Sequence, residues 1–159
     1  MDLMALYFED LKPGRVFKAG PITVDPTQAS EFARQYDPQP FHLKEAAGAA
    51  SVFGSLVISG WQTAAYSMRM LADSELAGIA NGLVGLQIDK LMWHQPVQPG
   101  DVLSTEFDVM SRKQSRSKPG FGVVQLAWRT FNQRGELVMS LENAIWVAVR
   151  GEGQGPSHG

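Results

Sequence analysis

Asp37 and His42 enclose the segment DPQPFH in a chain with only three histidines. A carboxylate and an imidazole so placed can hold one water and exchange protons with it near neutral pH. Pro38 and Pro40 restrict the segment between them, which suits side chains that must be preorganised. The same residues also describe a rigid turn with two polar side chains, and the segment alone does not choose between the two. A second group follows in ISGWQT. Gly60 falls in the first turn of a predicted helix, where backbone N–H groups have no intrahelical acceptor. With the helix dipole behind it, such an N–H can hold a carbonyl oxygen on which negative charge builds. An ordinary N-cap followed by a small residue reads equally well at this position.

A third group is basic. Arg112, Lys113, Arg116 and Lys118 are interleaved with Ser111, Ser115 and Ser117. They form either a solvated hairpin loop or a patch for the phosphates of coenzyme A or another pantetheine carrier. The cluster is too short, and too poor in aromatic neighbours, to point to nucleic acid. His94 stands beside Trp93 just ahead of a turn and reads as structural or surface, and His158 belongs to a polar tail. Neither stands at metal-ligand spacing from His42, so no metal site is expected. The absence of cysteine excludes disulfides, thiolate metal sites and thiol nucleophiles. A net charge of −2 exerts no general pull toward nucleic acid. The opening MDLMALYFED lacks the basic region of a signal peptide, and no apolar run reaches membrane-spanning length. The cytoplasm is the expected location, with no membrane partner.

These groups need elements to position them. Pro13-Gly14 and Gly20-Pro21 are turn signals that break the first extended stretch. Asp25 as N-cap, Pro26 at the first position and Gln28 in a capping box predict a helix. Ala29, Phe32, Ala33 and Tyr36 form its apolar face. Pro38 and Pro40 end it and leave DPQPF as stiff irregular chain. A short helix is expected within LKEAAGAASVFG. The longest helix then starts at Ser59, which forms a capping-box pair with Gln62, and carries Trp61, Ala64, Ala65, Met68, Leu71 and Ala72 as an apolar stripe. From Gly82 onward, long apolar runs separated by QPGD, SRSKPG and NQRG predict a meandering antiparallel sheet. The result is an α+β domain over 1–150, with 151–159 as a disordered polar tail. Val84, Leu86, Ile88, Leu91, Met92 and Trp93 are apolar on both parities, more than one helix can cover, so an oligomer interface or a ligand channel is expected there. Trp61, Trp93, Trp128 and Trp146 are core or interface candidates, and Trp61 is also a candidate lining of an acyl pocket.

The stretch YDPQPFHLKEAAGAASVFGSLVISGWQT and the later SRSKPGFGVVQLAWRTFNQRGELVMS resemble the MaoC-like dehydratases, a family that includes the (R)-specific enoyl-CoA hydratases. The resemblance runs from about Phe8 to Val149. It implies a hot-dog fold: a long central helix wrapped by a curved antiparallel sheet that pairs edge to edge into a homodimer or higher oligomer. It further implies Asp37 and His42 as the catalytic pair and Gly60 as the backbone oxyanion donor. Ser59 and Trp61 fall on the substrate side of that site, with Arg112, Lys113, Arg116 and Lys118 toward coenzyme A. The substrate implied is an acyl-CoA or acyl-carrier thioester, with no metal or redox cofactor. Three positions depart from the pattern, one of them Trp61, which is bulkier than the usual residue after the glycine. Ser59 replaces a histidine that many members carry before the glycine, and the supporting serine of some hydratases falls near Ser67-Met68. A thioesterase on the same fold and a non-catalytic acyl-thioester-binding subunit are the alternatives to a hydratase.

Overall fold

The computed structural model describes residues 4–151. The tail expected over 151–159 therefore lies, from 152 onward, outside the described residues. Five antiparallel strands form one sheet: β1 (Val16–Thr23), β2 (Val84–Trp93), β3 (Val102–Gln114), β4 (Phe121–Phe131) and β5 (Leu137–Ala148). Their order across the sheet is β1-β3-β4-β5-β2. The expected meander holds for β3, β4 and β5. It fails at QPGD, which carries the chain from β2 on one edge to β3 on the far side of β4 and β5 rather than closing a hairpin. Loop composition marks a reversal of direction but does not say which strand lies beyond it.

The α-helices among the described residues are α1 (Pro26–Tyr36), α2 (Pro40–Leu43), α3 (Glu45–Ala49) and α4 (Gly60–Ala72). Three local expectations need correction. Gly20-Pro21 does not separate two extended pieces; it lies within β1, where the register against β3 shifts between Ala19 and Ile22. DPQPF is not wholly irregular, because Pro40 opens the single turn of α2. The capping boxes are half-formed. Asp25 accepts from the Gln28 N–H at 2.8 Å, but the Gln28 side chain is taken by the Tyr66 hydroxyl. At α4, Ser59 accepts from the Trp61 N–H, and Gln62 donates to Tyr66 instead.

Strand alternation builds the core. Leu103, Phe107 and Val109 of β3, Val124, Leu126 and Trp128 of β4, and Val138, Leu141, Ile145 and Val147 of β5 are buried. The inward side of α4 places Met70 and Leu71 in the same cluster. Among its buried polar groups, Ser67 Oγ lies 2.6 Å from Thr130 Oγ1, which in turn lies 3.0 Å from Thr105 Oγ1, whereas Gln62 Oε1 is buried without a hydrogen-bond partner among the described residues. The opposite side of α4 leaves Trp61 and Met68 exposed, next to the exposed edge strand β2.

Candidate active site

The site forms where α1 ends and α4 begins. α1 stops at Tyr36, Asp37 is its C-cap, and the chain turns at once into α2. Pro40 fits the first position of that turn because its missing N–H would have no acceptor there. One turn of helix then carries His42 back beside Asp37: Nε2 lies 3.2 Å from Asp37 Oδ2. The other ring nitrogen, Nδ1, lies 2.8 Å from the Val57 carbonyl oxygen. A carbonyl oxygen only accepts, so Nδ1 carries the hydrogen and Nε2 is left as the proton-transferring position. His42 is 8% exposed, which fixes the ring in this orientation.

Asp37 is held at both oxygens. Ser59 Oγ donates to Oδ2 at 2.7 Å, and Gln39 Nε2 donates to Oδ1. Burial pushes the Asp37 carboxyl up. The hydrogen bonds from Ser59 and Gln39, together with the charge at His42, outweigh this and hold it below its ordinary value. Asp37 is therefore an ionised carboxylate near neutral pH.

Gly60 is the first residue of α4, and its N–H has no acceptor among the described residues. Glycine leaves room here for an indole ring. A Cβ would come within 2.6 Å of the Trp93 indole, whose Nε1 donates to the Gly60 carbonyl at 2.8 Å. Trp61 meets Trp93 edge to face, with centroids 5.0 Å apart. Asp37, His42, Gly60 and Trp61 line one cavity of about 420 Å³, walled further by Phe41, Phe53, Trp93 and His94. Carboxylate, imidazole, free amide and apolar wall thus meet in one place. This is the equipment for adding water to, or removing it from, a substrate whose carbonyl can accept negative charge.

Two of the expected site residues do other work. Ser59 was expected on the substrate side, but it is fully buried and its hydroxyl is engaged by Asp37 and the Trp61 N–H. Arg112 is tied to the Phe8 and Glu9 carbonyls and lies over the Phe8 ring, so its guanidinium anchors the N-terminal segment. Lys113 and Arg116, with Arg112, line a groove at the β3–β4 hairpin that shares no residue with the Asp37 cavity. Lys118 is exposed on the same hairpin. Ser67 turns into the core rather than toward Asp37, and Met68 is exposed on the opposite side of α4.

The sequence reading did not place Gln39 or Val57 at the site, gave Trp93 only as a core, interface or channel candidate, and read His94 as structural or surface. Gln39 had a usable signal, since it lies between the two prolines one turn from the pair. The Val57 acceptor is a backbone atom and leaves no trace in residue type. Trp93 ends β2 and His94 follows it, and only the tertiary fold brings them to the cavity beside Gly60. His94 Nε2 lies 2.7 Å from Ser140 Oγ, so one side of its ring is held by β5.

The family model of the MaoC-like domain matches residues 9–127. The chain belongs to this family. The MaoC-like dehydratase from Rhodospirillum rubrum superposes with a TM-score of 0.88 at 39% identity, covering 93% of this chain and all of that one. The (R)-hydratase from A. caviae involved in PHA biosynthesis superposes with a TM-score of 0.70 at 25% identity, over 86% of this chain and 97% of that one. The uncharacterized protein YdeM of Bacillus subtilis (strain 168) is 28% identical over 134 residues, 84% of this chain and 93% of its own. The MaoC-like chain thus has the hot-dog fold expected from its sequence, an α+β arrangement with α4 against one antiparallel sheet. Among the described residues, no helix is long and apolar enough to cross a membrane, and no cluster of three or more His, Asp or Glu is placed to hold a metal ion.

Proposed function

We propose that this protein hydrates trans-2-enoyl thioesters to (R)-3-hydroxyacyl thioesters, and runs the reverse dehydration, as a cytoplasmic homodimer. The observation that carries the reading is the meeting of the Asp37–His42 pair with the free Gly60 N–H around one apolar-walled cavity. The Asp37 carboxylate and His42 Nε2 hold one water. As its oxygen bonds to C3, its proton passes to the pair. The C2–C3 π electrons move toward the thioester carbonyl, and enolate charge collects on the oxygen held by Gly60 N–H. The pair returns a proton to C2, so it ends in the state in which it began. The carbonyl already makes C3 electrophilic, so the step needs no metal or redox cofactor, and coenzyme A enters only as part of the substrate. Trp61 and Trp93 wall the acyl side. Lys113, Arg116 and Lys118 remain the candidates for carrier phosphates, with Arg112 holding the base of their hairpin.

The test is loss of enoyl absorbance with crotonyl-CoA and with longer or branched enoyl-CoAs. The wild type is expected to turn over at least one of them. Asp37→Asn and His42→Ala are each expected to fall by a factor of about 10² or more. Equal rates in wild type and variants would overturn the reading. Release of free thiol from saturated acyl-CoA would replace it with a thioesterase. Calorimetric binding of acyl-CoA without turnover would replace it with a binding subunit.

A further inference from the structure

Asp37 belongs to the loop after α1 and the Gly60 amide to the first turn of α4, so the spacing of base and oxyanion donor depends on how two separate elements are joined. One side chain touches both. Ser59 Oγ accepts from the Trp61 N–H at 3.3 Å and donates to Asp37 Oδ2 at 2.7 Å. A hydroxyl has one hydrogen to give. The amide is itself a donor, so that hydrogen goes to the carboxylate. Ser59 is fully buried, which leaves it no water to turn to. We propose that Ser59 is a positioning residue for hydration: its hydroxyl ties the Asp37 carboxylate to the N-terminus of α4 and holds the base in register with the Gly60 N–H.

The assignment rests on the hydratase reading and adds a member to it that touches neither substrate nor water. It also accounts for a departure in the sequence. The supporting serine sought near Ser67-Met68 is not at hand, because Ser67 turns to Thr130. Ser59 approaches the carboxylate from the other end of the same helix. The titratable groups facing Asp37 are His42 from α2 and, across the cavity, His94 beyond β2; Gln39 and Ser59 are neutral. Loss of the Ser59 hydroxyl removes a hydrogen bond to the charged form of Asp37 while its burial remains. The carboxyl then titrates higher.

Ser59→Ala, Ser59→Gly and Ser59→Thr separate this role from plain helix capping. Glycine keeps most of a cap's tendency without a hydroxyl, and threonine keeps the hydroxyl. For Ala and Gly, kcat is expected to fall about ten- to a hundredfold, the worth of a hydrogen bond to a charged group. KM should stay nearly constant, and the acid limb of kcat/KM should move to higher pH. Thr should recover most of kcat and the original limb. If Gly matches the wild type in kcat and pH profile, Ser59 is only a cap and the proposal falls. If the wild type hydrates no enoyl thioester, the functional reading fails by itself. The tie is then read directly by carbon NMR titration of labelled Asp carboxyls in wild type and Ser59→Gly. An upward move of the Asp37 signal supports the tie, and an unchanged signal overturns it.

Discussion

At the residue scale, the chemistry turns on where protons are parked. The Val57 carbonyl fixes hydrogen on His42 Nδ1, Ser59 and Gln39 each give Asp37 one donor, and Nε2 and Oδ2 face each other 3.2 Å apart. Burial opposes ionisation of Asp37, but the donors and the His42 charge prevail, and its carboxyl lies below the ordinary value of 3.8. A folded-state value below the unfolded one means that the unfolded chain binds more protons there. The stabilising contribution is therefore complete above about pH 4 and is lost as pH falls through the folded value. Asp37→Asn removes it. Urea unfolding between pH 7 and pH 2.5 is expected to show a shallower acid loss of stability in Asp37→Asn than in the wild type. Parallel curves would mean that Asp37 is not held in its charged form.

At the element scale, the site depends on close approach between backbones. α3 packs against the segment that carries Val57, and Gly48 lets it do so: a Cβ there would lie 2.5 Å from the Leu56 backbone. Backbone cannot swing aside as a side-chain tip can. Gly48→Ala is expected to lose about 1–3 kcal/mol of stability by overpacking. It should also lower kcat, because the Val57 carbonyl that sets the His42 tautomer moves with Leu56. Chemical unfolding and turnover measured on the same preparation check both effects. The segment LKEAAGAASVFG is legible as a short helix from its alanines, but nothing in it announces that its glycine is there to let a neighbouring chain in.

At the scale of the whole molecule, the unpaired edge of the sheet stands out. Among the described residues β2 has only β5 as a neighbour, and it exposes Val84, Leu86, Ile88, Met92 and Trp93, with Met68 of α4 beside them. An apolar edge strand of this kind calls for a partner. A second copy pairing through β2 would cover it close to the Trp93 wall of the active site. Light scattering is expected to give a dimer for the wild type and a monomer for Ile88→Lys, with reduced thermal stability. A monomeric wild type would overturn the pairing.

Residue types and local spacing were enough to single out Asp37 and His42 as a candidate pair, which the family resemblance then gave a role, and to find the helix carrying Gly60, the long strands after Gly82 and the apolar excess of β2. These are signals within one or two turns of chain, where side-chain period and capping chemistry act directly. Only tertiary structure decided that QPGD joins distant strands, that Arg112 anchors Phe8 and Glu9, and that Trp93 seals Gly60 from 33 residues away. It also turned Ser59 from a ligand-side residue into the link between base and helix. The physical reason is the same in each case. A donor's partner is set by which elements pack together, and that packing is an outcome of burying the whole core rather than a property of the segment that supplies the donor.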